Sequence, residues 1–209
     1  MSPPSLGGRP QRHASQRASR RQILVFVEGK RTEERYLVGW ARRYRGDVIV
    51  MIDPFRGVPT SLIERAVDRQ RQEKRDERRS RGRNYDEIWC VFDVDEHPGL
   101  DRVFDLARRH EIHLAISNPC LELWFILHFE DQSAWIHRRR AQERSQELLG
   151  CGKVLSDEAV AALFDRYDGA AERARQLERW HTEAGSAPGE NPSSGPWRLI
   201  DSIRGSDEA

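Results

Sequence analysis

The chain has 209 residues, enough for one well-packed domain with room for a small appendage. Charged residues make up 33% of it, yet the formal net charge is only +1, so no overall positive field marks a nucleic-acid or membrane binder. Three widely spaced cysteines, Cys90, Cys120 and Cys151, predict neither a disulfide framework nor a zinc site. No segment approaches the ~20 apolar residues of a membrane span or resembles a signal peptide, so we expect a soluble cytoplasmic protein.

Residues 1–21 predict a disordered basic arm that precedes the folded part of the chain. They contain serine, proline, glycine and five arginines, no acid, and too little apolar surface to order themselves. Two interpretations of the arm stay open, contact with phosphates or a solvated tail. We predict an α/β core at 22–131 and a helical extension at 132–209, which contains a Gly/Pro/Ser loop at 184–195.

Four apolar runs predict β-strands that alternate with helices. Their content of β-branched and aromatic residues is typical of strands buried on both faces of a sheet. The runs are residues 23–27, 48–52, 88–92 and 112–116. This alternation predicts an α/β fold, a Rossmann-like three-layer sandwich around a mainly parallel four-stranded sheet with right-handed crossovers. Ligands of such sheets bind at the carboxyl ends of the strands.

Acidic residues stand at these strand ends. Glu28 closes the first strand, and Glu33 lies one turn into the helix that follows. Asp93 and Asp95 close the third strand and would point the same way, because side chains alternate along a strand. Neighbouring carboxylates repel each other unless a cation lies between them, although a lone Asp-x-Asp also fits an ordinary acidic loop. Because parallel strands share one carboxyl edge, we expect all four carboxylates to converge there.

The predicted ligand set favours a hard cation near a phosphate. Carboxylate oxygens without a Cys or His partner favour Mg²⁺ or Mn²⁺ over zinc, and such an ion keeps positions open for phosphate oxygens. Gly29 would let the backbone approach a phosphate closely, and Lys30 and Arg31 add positive charge at a helix N-terminus. His97 is a candidate phosphate contact or proton shuttle, with a solvated turn histidine as the alternative.

One acid lies inside an otherwise apolar helix pattern. Residues 120–129 predict a buried helix, yet they contain Glu122, which needs a cation, an arginine or a backbone amide as its partner. A metal-ligand role and a structural role for Glu122 both stay open. The extension is predicted to hold a charged helix at 134–149, two helices at 157–163 and 170–183, and a short closing helix at 197–203.

Three motifs, in this order, resemble the RloB family. They are Ile-Leu-Val-Phe-Val-Glu-Gly-Lys-Arg-Thr-Glu at 23–33, Phe-Asp-Val-Asp-Glu-His at 92–97, and Ser-Asn-Pro-Cys-Leu-Glu-Leu-Trp-Phe-Ile-Leu-His-Phe at 117–129. Asn-Pro-Ser at 191–193 is similar to the closing motif of that family, and the resemblance covers roughly residues 21–203. RloB proteins are encoded beside restriction or other phage-defence genes and carry a Toprim-like domain, so the resemblance implies that fold for the core.

The wider Toprim group includes bacterial primases, topoisomerases and overcoming-lysogenization-defect nucleases, and resemblance to it implies roles for the acids. Glu28 matches a metal ligand or general acid/base, and Asp93 and Asp95 match the Asp-x-Asp that binds metal. Glu33 corresponds to the second acid of the nuclease subgroup, although it lies one position further from Glu28 than is usual there. Glu122 has no counterpart in the primase or topoisomerase pattern.

Residues and resemblance together predict a metal-dependent nuclease that hydrolyses DNA or RNA in prokaryotic antiviral defence, with Mg²⁺ or Mn²⁺ as cofactor. The alternative is a non-catalytic component of a defence complex that binds nucleic acid or a partner. Phosphoryl chemistry on a small nucleotide is a third reading that shares the same metal site. The resemblance also implies a partner protein from a defence operon, of the ATPase type. The oligomeric state stays open, with a homodimer among the options.

Overall fold

The computed structural model describes most of the chain, with gaps at both termini and at a few internal positions. The described residues are 20–29, 31–78, 85–94, 97, 99–152, 154–187 and 189–205. The predicted basic arm lies outside them apart from Arg20 and Arg21. The predicted site residues Lys30 and Asp95 also lie outside the described residues.

Five strands of the described residues form one sheet. They are β1 at Arg21–Val27, β2 at Val48–Ile52, β3 at Glu87–Asp93, β4 at His113–Asn118 and β5 at Ser193–Ser194. The order across the sheet is β2-β1-β3-β4-β5, and the first four strands are parallel. The mostly parallel sheet of an α/β fold, predicted from the apolar runs, is therefore confirmed.

The predicted number of four strands is wrong, because a short edge strand forms much later in the chain. β5 pairs antiparallel with β4, with Ser193 opposite Asn118 and Ser194 opposite Ser117. Two serines carry no apolar alternation, and they lie in the segment predicted as a Gly/Pro/Ser loop. This edge strand therefore depends on its place beside β4 rather than on local strand propensity.

Eight helices are present among the described residues. They are α1 at Thr32–Arg43, α2 at Pro59–Glu77, α3 at Asp101–His110, α4 at Leu121–Leu127, α5 at Arg138–Leu149, α6 at Asp157–Asp165, α7 at Tyr167–Glu183 and α8 at Pro196–Arg204. Gly150 and Gly205 take positive φ at the ends of α5 and α8, as is common where helices stop. Within the described part of the chain, no helix has the length and apolar character needed to cross a membrane.

The helices cover both faces of the sheet and divide the core in two. Ile23, Val25 and Val27 of β1 point into the larger part, which α1, α4, α6, α7 and α8 cover. Leu24 and Phe26 point the other way, against α2 and α3. Because successive side chains of a strand point to opposite faces, this pattern places β1 in the middle layer of three.

A buried hydrogen bond joins the two helices that carry acids of the candidate site. α1 follows β1 and contains Glu33, and α4 follows β4 and contains Glu122. Nε1 of Trp124 in α4 donates to the hydroxyl of Tyr36 in α1 at 2.8 Å, and both side chains are fully buried. A hydrogen bond in so apolar a setting fixes geometry strongly, because breaking it leaves unsatisfied polar groups. The N-terminal halves of α1 and α4 are therefore held together.

Candidate active site

The carboxyl ends of β1 and β3 bring Glu28 and Asp93 together at one edge of the sheet. Glu28 follows β1 directly, and its backbone N–H donates to the Val91 carbonyl oxygen at 3.1 Å, which continues the ladder to β3. Its carboxylate turns over the end of β3, where Oε2 accepts from the Asp93 backbone N–H at 3.3 Å. The register pairs Val27 with Val91, so Glu28 reaches Asp93 by extending its side chain one position further along β3.

The Asp93 carboxylate is largely buried and is held by two donors. Its Oδ1 accepts from the backbone N–H of Leu121, the first residue of α4, at 2.9 Å. Its Oδ2 accepts from Nη2 of Arg138 at 3.1 Å. Burial raises the pKa of Asp93 well above its usual value, Arg138 opposes that rise, and the other carboxylates of this edge add to it. One arginine therefore only partly compensates the charge collected here.

Glu33 lies in the first turn of α1 and folds back over the turn that precedes the helix. A Cβ at Gly29 would overlap the Glu33 carboxylate, so the carboxylate uses space that only glycine leaves open. Burial is the main cause that raises the pKa of Glu33, although its own backbone amide opposes the rise. The carboxylates of Glu122 and Glu28 raise it further, and the Arg56 guanidinium opposes them.

Glu122 reaches the same edge from α4. The six other residues of this helix are buried, whereas Glu122 is half-buried. Burial is the largest cause that raises the pKa of Glu33, of Asp93 and of the Cys120 thiol, and the Glu122 carboxylate contributes to each rise. Glu122 is therefore electrostatically part of the acidic edge, which we define as Glu28, Glu33, Asp93 and Glu122.

His97 contacts this acidic edge, whereas Arg31 lines a cleft that contains none of its four acids. Nε2 of His97 lies 3.0 Å from Oε1 of Glu28, and both side chains are partly buried. A ring N–H can donate to the carboxylate, and a protonated ring forms an ion pair with it. Arg31 is exposed at the start of α1 and lines a cleft with Arg35 and Arg42.

Arg138 is a residue of this edge that the sequence interpretation misses. It begins α5, which packs against α4, and its guanidinium reaches Asp93 from 45 positions further along the chain. In the sequence it is only the first of three consecutive arginines in a charged helix. Helix N-termini normally favour acids, and α5 has none in its first turn. The three arginines at that end are the signal that could have identified it.

The ligand atoms that the acidic edge offers fit a hard cation, because all of them are carboxylate oxygens. Their arrangement fits a metal site less well. Among the described residues, no group of three or more His, Cys, Asp and Glu side chains could hold a metal ion. Both oxygens of Asp93 face donors of the protein, and the predicted ligand Asp95 lies outside the described residues. The metal site therefore remains a prediction.

The fold and the acidic edge define an α/β protein with carboxylates gathered at the ends of parallel strands. The chain belongs to the RloB family, because the family model for RloB-like protein matches residues 23–203, most of its length. All four residues of the acidic edge and Arg138 lie within the matched part. No curated protein and no solved structure matches the chain significantly.

Proposed function

We propose that this chain is a metal-dependent nuclease that hydrolyses phosphodiester bonds of DNA or RNA in prokaryotic antiviral defence, and that its core is a Toprim-like domain. The observation that carries the proposal is the meeting of four carboxylates, from β1, α1, β3 and α4, at one edge of the sheet. Gathering like charges in a poorly hydrated place is costly unless a ligand or a cation offsets the repulsion. Active sites are where proteins keep such arrangements.

The acidic edge would hold Mg²⁺ or Mn²⁺. In this proposal Glu28, Asp93 and Asp95 are ligands, and Glu122 completes the oxygen donors. The chemistry that such an ion supplies when bound is Lewis-acid stabilisation of charge on the phosphoryl group. His97 orients Glu28 through its 3.0 Å contact, which fixes the direction of that carboxylate.

The remaining residues of the edge would position substrate and protons. Gly29, Lys30 and Arg31 lead into the N-terminus of α1, where backbone N–H groups and positive charge favour a phosphate once the flexible Glu33 carboxylate leaves the space over Gly29. The Glu33 carboxylate lies over that turn and is placed to hold or move a proton there. The planar Arg138 guanidinium, which donates to Asp93, has a geometry that also suits a phosphate oxygen approaching this edge.

The direct test is cleavage of DNA and RNA, single-stranded and duplex, by the purified chain with Mg²⁺ or Mn²⁺. Asp93→Asn should lower the cleavage rate at least about a hundredfold, the usual scale for losing a group that stabilises transition-state charge. The matched control is Asp105→Asn on α3, where the carboxylate is about half exposed and pairs with Arg108. Full activity of Asp93→Asn would refute the proposal. If activity is lost, circular dichroism of both variants shows whether the loss comes from misfolding.

A second function is favoured by the contacts of Asp93 itself. Its two oxygens already accept from Leu121 and Arg138, so the edge could serve structure and leave the chemistry to a partner. In that case the chain is a non-catalytic component that binds nucleic acid or a defence-operon protein of the ATPase type. No cleavage of any substrate by the wild type with either metal, together with unchanged binding by Asp93→Asn, would select this function.

A further inference from the structure

Trp135 is the most exposed of the large apolar side chains in the described part of the chain. Its relative exposure is 68%, in the segment between α4 and α5. Tryptophan is highly buried on average, and leaving so large a ring in water forgoes the free energy that its burial would provide. Packing within the folded core therefore does not explain why a tryptophan occupies position 135.

The backbone around Trp135 is fixed, so its exposure follows from the fold. The side-chain amide of Asn191 donates to the Ile136 carbonyl oxygen at 2.8 Å and accepts from the Ile136 N–H at 3.1 Å. The Ile136 side chain is buried against Cys120, Ile126 and Ala141. The Ile136 side chain is thus held in the core, whereas the neighbouring Trp135 side chain lies in solvent. With this backbone held, binding would restrict only the two side-chain torsions of Trp135, which keeps the entropy cost small.

Other groups beside Trp135 suit nucleic acid. His137 is exposed, and its ring centroid lies 6.2 Å from that of Trp135, with the planes tilted by 55°. α5 then begins with three arginines and has no acid in its first turn. Arg139 and Arg140 pair with Glu143 on the surface, where ion pairs contribute little stability, so a phosphate can take the place of the carboxylate at small cost.

The position of Trp135 connects this surface to the acidic edge. It precedes Arg138 by three residues, and the Arg138 guanidinium donates to Asp93 at 3.1 Å. Three residues of chain separate the Cα atoms of Trp135 and Arg138 by at most ~11 Å, so a single strand of a few nucleotides could extend from the ring to the edge that Arg138 contacts. Aromatic rings next to a basic surface are how proteins hold single strands, because unpaired bases can stack on a ring and duplex bases cannot.

We propose that Trp135 is a stacking platform for an unpaired base of single-stranded nucleic acid, whose backbone passes over Arg139 and Arg140 towards the acidic edge. The direction of the strand rests on the proposed nuclease function. The stacking does not, because it needs only the ring and the basic surface.

The test is fluorescence anisotropy with labelled oligonucleotides of RNA and DNA, each as a single strand and as a duplex, with EDTA present so that nothing is cut. We expect the wild type to bind a single strand more tightly than the duplex. Trp135→Ala should raise the single-strand Kd about five- to a hundredfold, the effect of losing one stacked base, and Trp135→Phe should retain most of the affinity. Trp180→Ala is the matched control, since this ring is also exposed but lies on α7.

Each other outcome overturns the platform. These outcomes are unchanged affinity of Trp135→Ala, equal loss in Trp180→Ala, no binding by the wild type, or a wild-type dimer that Trp135→Ala converts to monomer in light scattering. The last would assign the ring to a contact between two copies of the chain. Cleavage assays separate the two proposals. If Trp135→Ala weakens binding but the wild type cuts no substrate, only the nuclease proposal fails. If the wild type cuts nucleic acid but Trp135→Ala binds with wild-type affinity, only the stacking proposal fails.

Discussion

The two ends of the same sheet hold acids in opposite situations. At the amino end, Glu87 accepts from Trp89 Nε1 at 2.7 Å and from the Ser202 hydroxyl at 2.6 Å, and it lies 3.4 Å from Arg21. At the carboxyl end, the acids lie beside one another, and burial together with their mutual repulsion raises the pKa of Asp93 and of Glu33. The amino end pairs Glu87 with donors, whereas the carboxyl end gathers four carboxylates that Arg138 compensates only in part.

This difference separates structural acids from candidate functional ones. Contacts within the folded chain account for Glu87, because it satisfies donors from β3 and α8 that would otherwise be left without an acceptor. The acidic edge weakens the fold as it stands, since like charges oppose each other where water screens them poorly. Proteins retain such destabilising arrangements at sites that bind ligands or catalyse reactions. The carboxyl end is therefore where function is expected.

The largest expected effect comes from exchanging one acid at each end for its amide. Glu28→Gln should lower cleavage at least about a hundredfold, because it removes charge from the proposed metal site. Glu87→Gln should leave cleavage within about twofold, because its contacts lie at the other end of the sheet. Initial rates with Mn²⁺ measure both. An equal loss of cleavage rate in the two variants would show that the acids at the two ends of the sheet do not differ in function.

Lowering the pH should destabilise the core near the carboxyl end through His128. Burial lowers the pKa of this ring to about 3, its hydrogen bond to the Trp124 carbonyl opposes the shift, and Arg173 and Arg166 add to it. The unfolded chain takes up the proton near pH 6.5, whereas the folded chain does so only near 3. The free energy of unfolding should therefore fall as the pH drops through this interval, by up to ~1.4 kcal/mol per pH unit.

Urea denaturation of wild type and His128→Gln at several pH values between about 7 and 4 isolates this contribution. Glutamine keeps a donor for the Trp124 carbonyl but does not titrate. The variant should lose less stability than the wild type as the pH falls. Parallel curves for the two proteins would show that the ring titrates normally in the folded chain.

A smaller loss of stability is expected at the amino end. Glu87→Ala removes the acceptor of Trp89 and Ser202, and leaving such buried donors unsatisfied should cost about 2 kcal/mol. Glu172→Ala is the control, because this exposed acid pairs with Arg179 on α7 and should change stability by less than about 0.5 kcal/mol. Thermal or urea unfolding compares the two. A Glu87→Ala variant as stable as the control would show that this end does not depend on Glu87.

The smallest expected effect is a gain of stability at the carboxyl end. Because burial raises the pKa of Asp93 in the folded chain, its ionised form is disfavoured there at neutral pH, and Asp93→Asn removes that cost. The gain should be roughly 1 kcal/mol, the usual size of one stabilising substitution. The midpoint of urea unfolding measures it. A clear loss would mean that the ion pair with Arg138 outweighs the repulsion.

The sequence predicts the parts of this molecule that depend on local pattern. The runs at 23–27 and 88–92 lie within β1 and β3, because strands buried on both faces must be apolar throughout. Parallel pairing brings the ends of those strands to one edge, where the Glu28 side chain reaches the Asp93 backbone. The boundary between core and extension is a prediction that no contact described above decides.

Other features depend on contacts between distant segments, which no local pattern contains. β5 consists of two serines that become a strand only beside β4. Arg138 belongs to the acidic edge because α5 packs against α4, and Trp135 faces solvent because Asn191 fixes the backbone next to it. The charge pattern of the sequence contains Arg138, but it does not identify Asp93 as the carboxylate that Arg138 contacts.

Metal titration tests the central claim most directly. Isothermal titration calorimetry with Mn²⁺, on the wild type, Glu28→Gln and Glu87→Gln, reports binding at the acidic edge without requiring a substrate. We predict one site in the wild type and in Glu87→Gln, and its loss or a weakening of at least about tenfold in Glu28→Gln. No binding by the wild type, or equal binding by all three proteins, would contradict a metal site at the carboxyl end of the sheet.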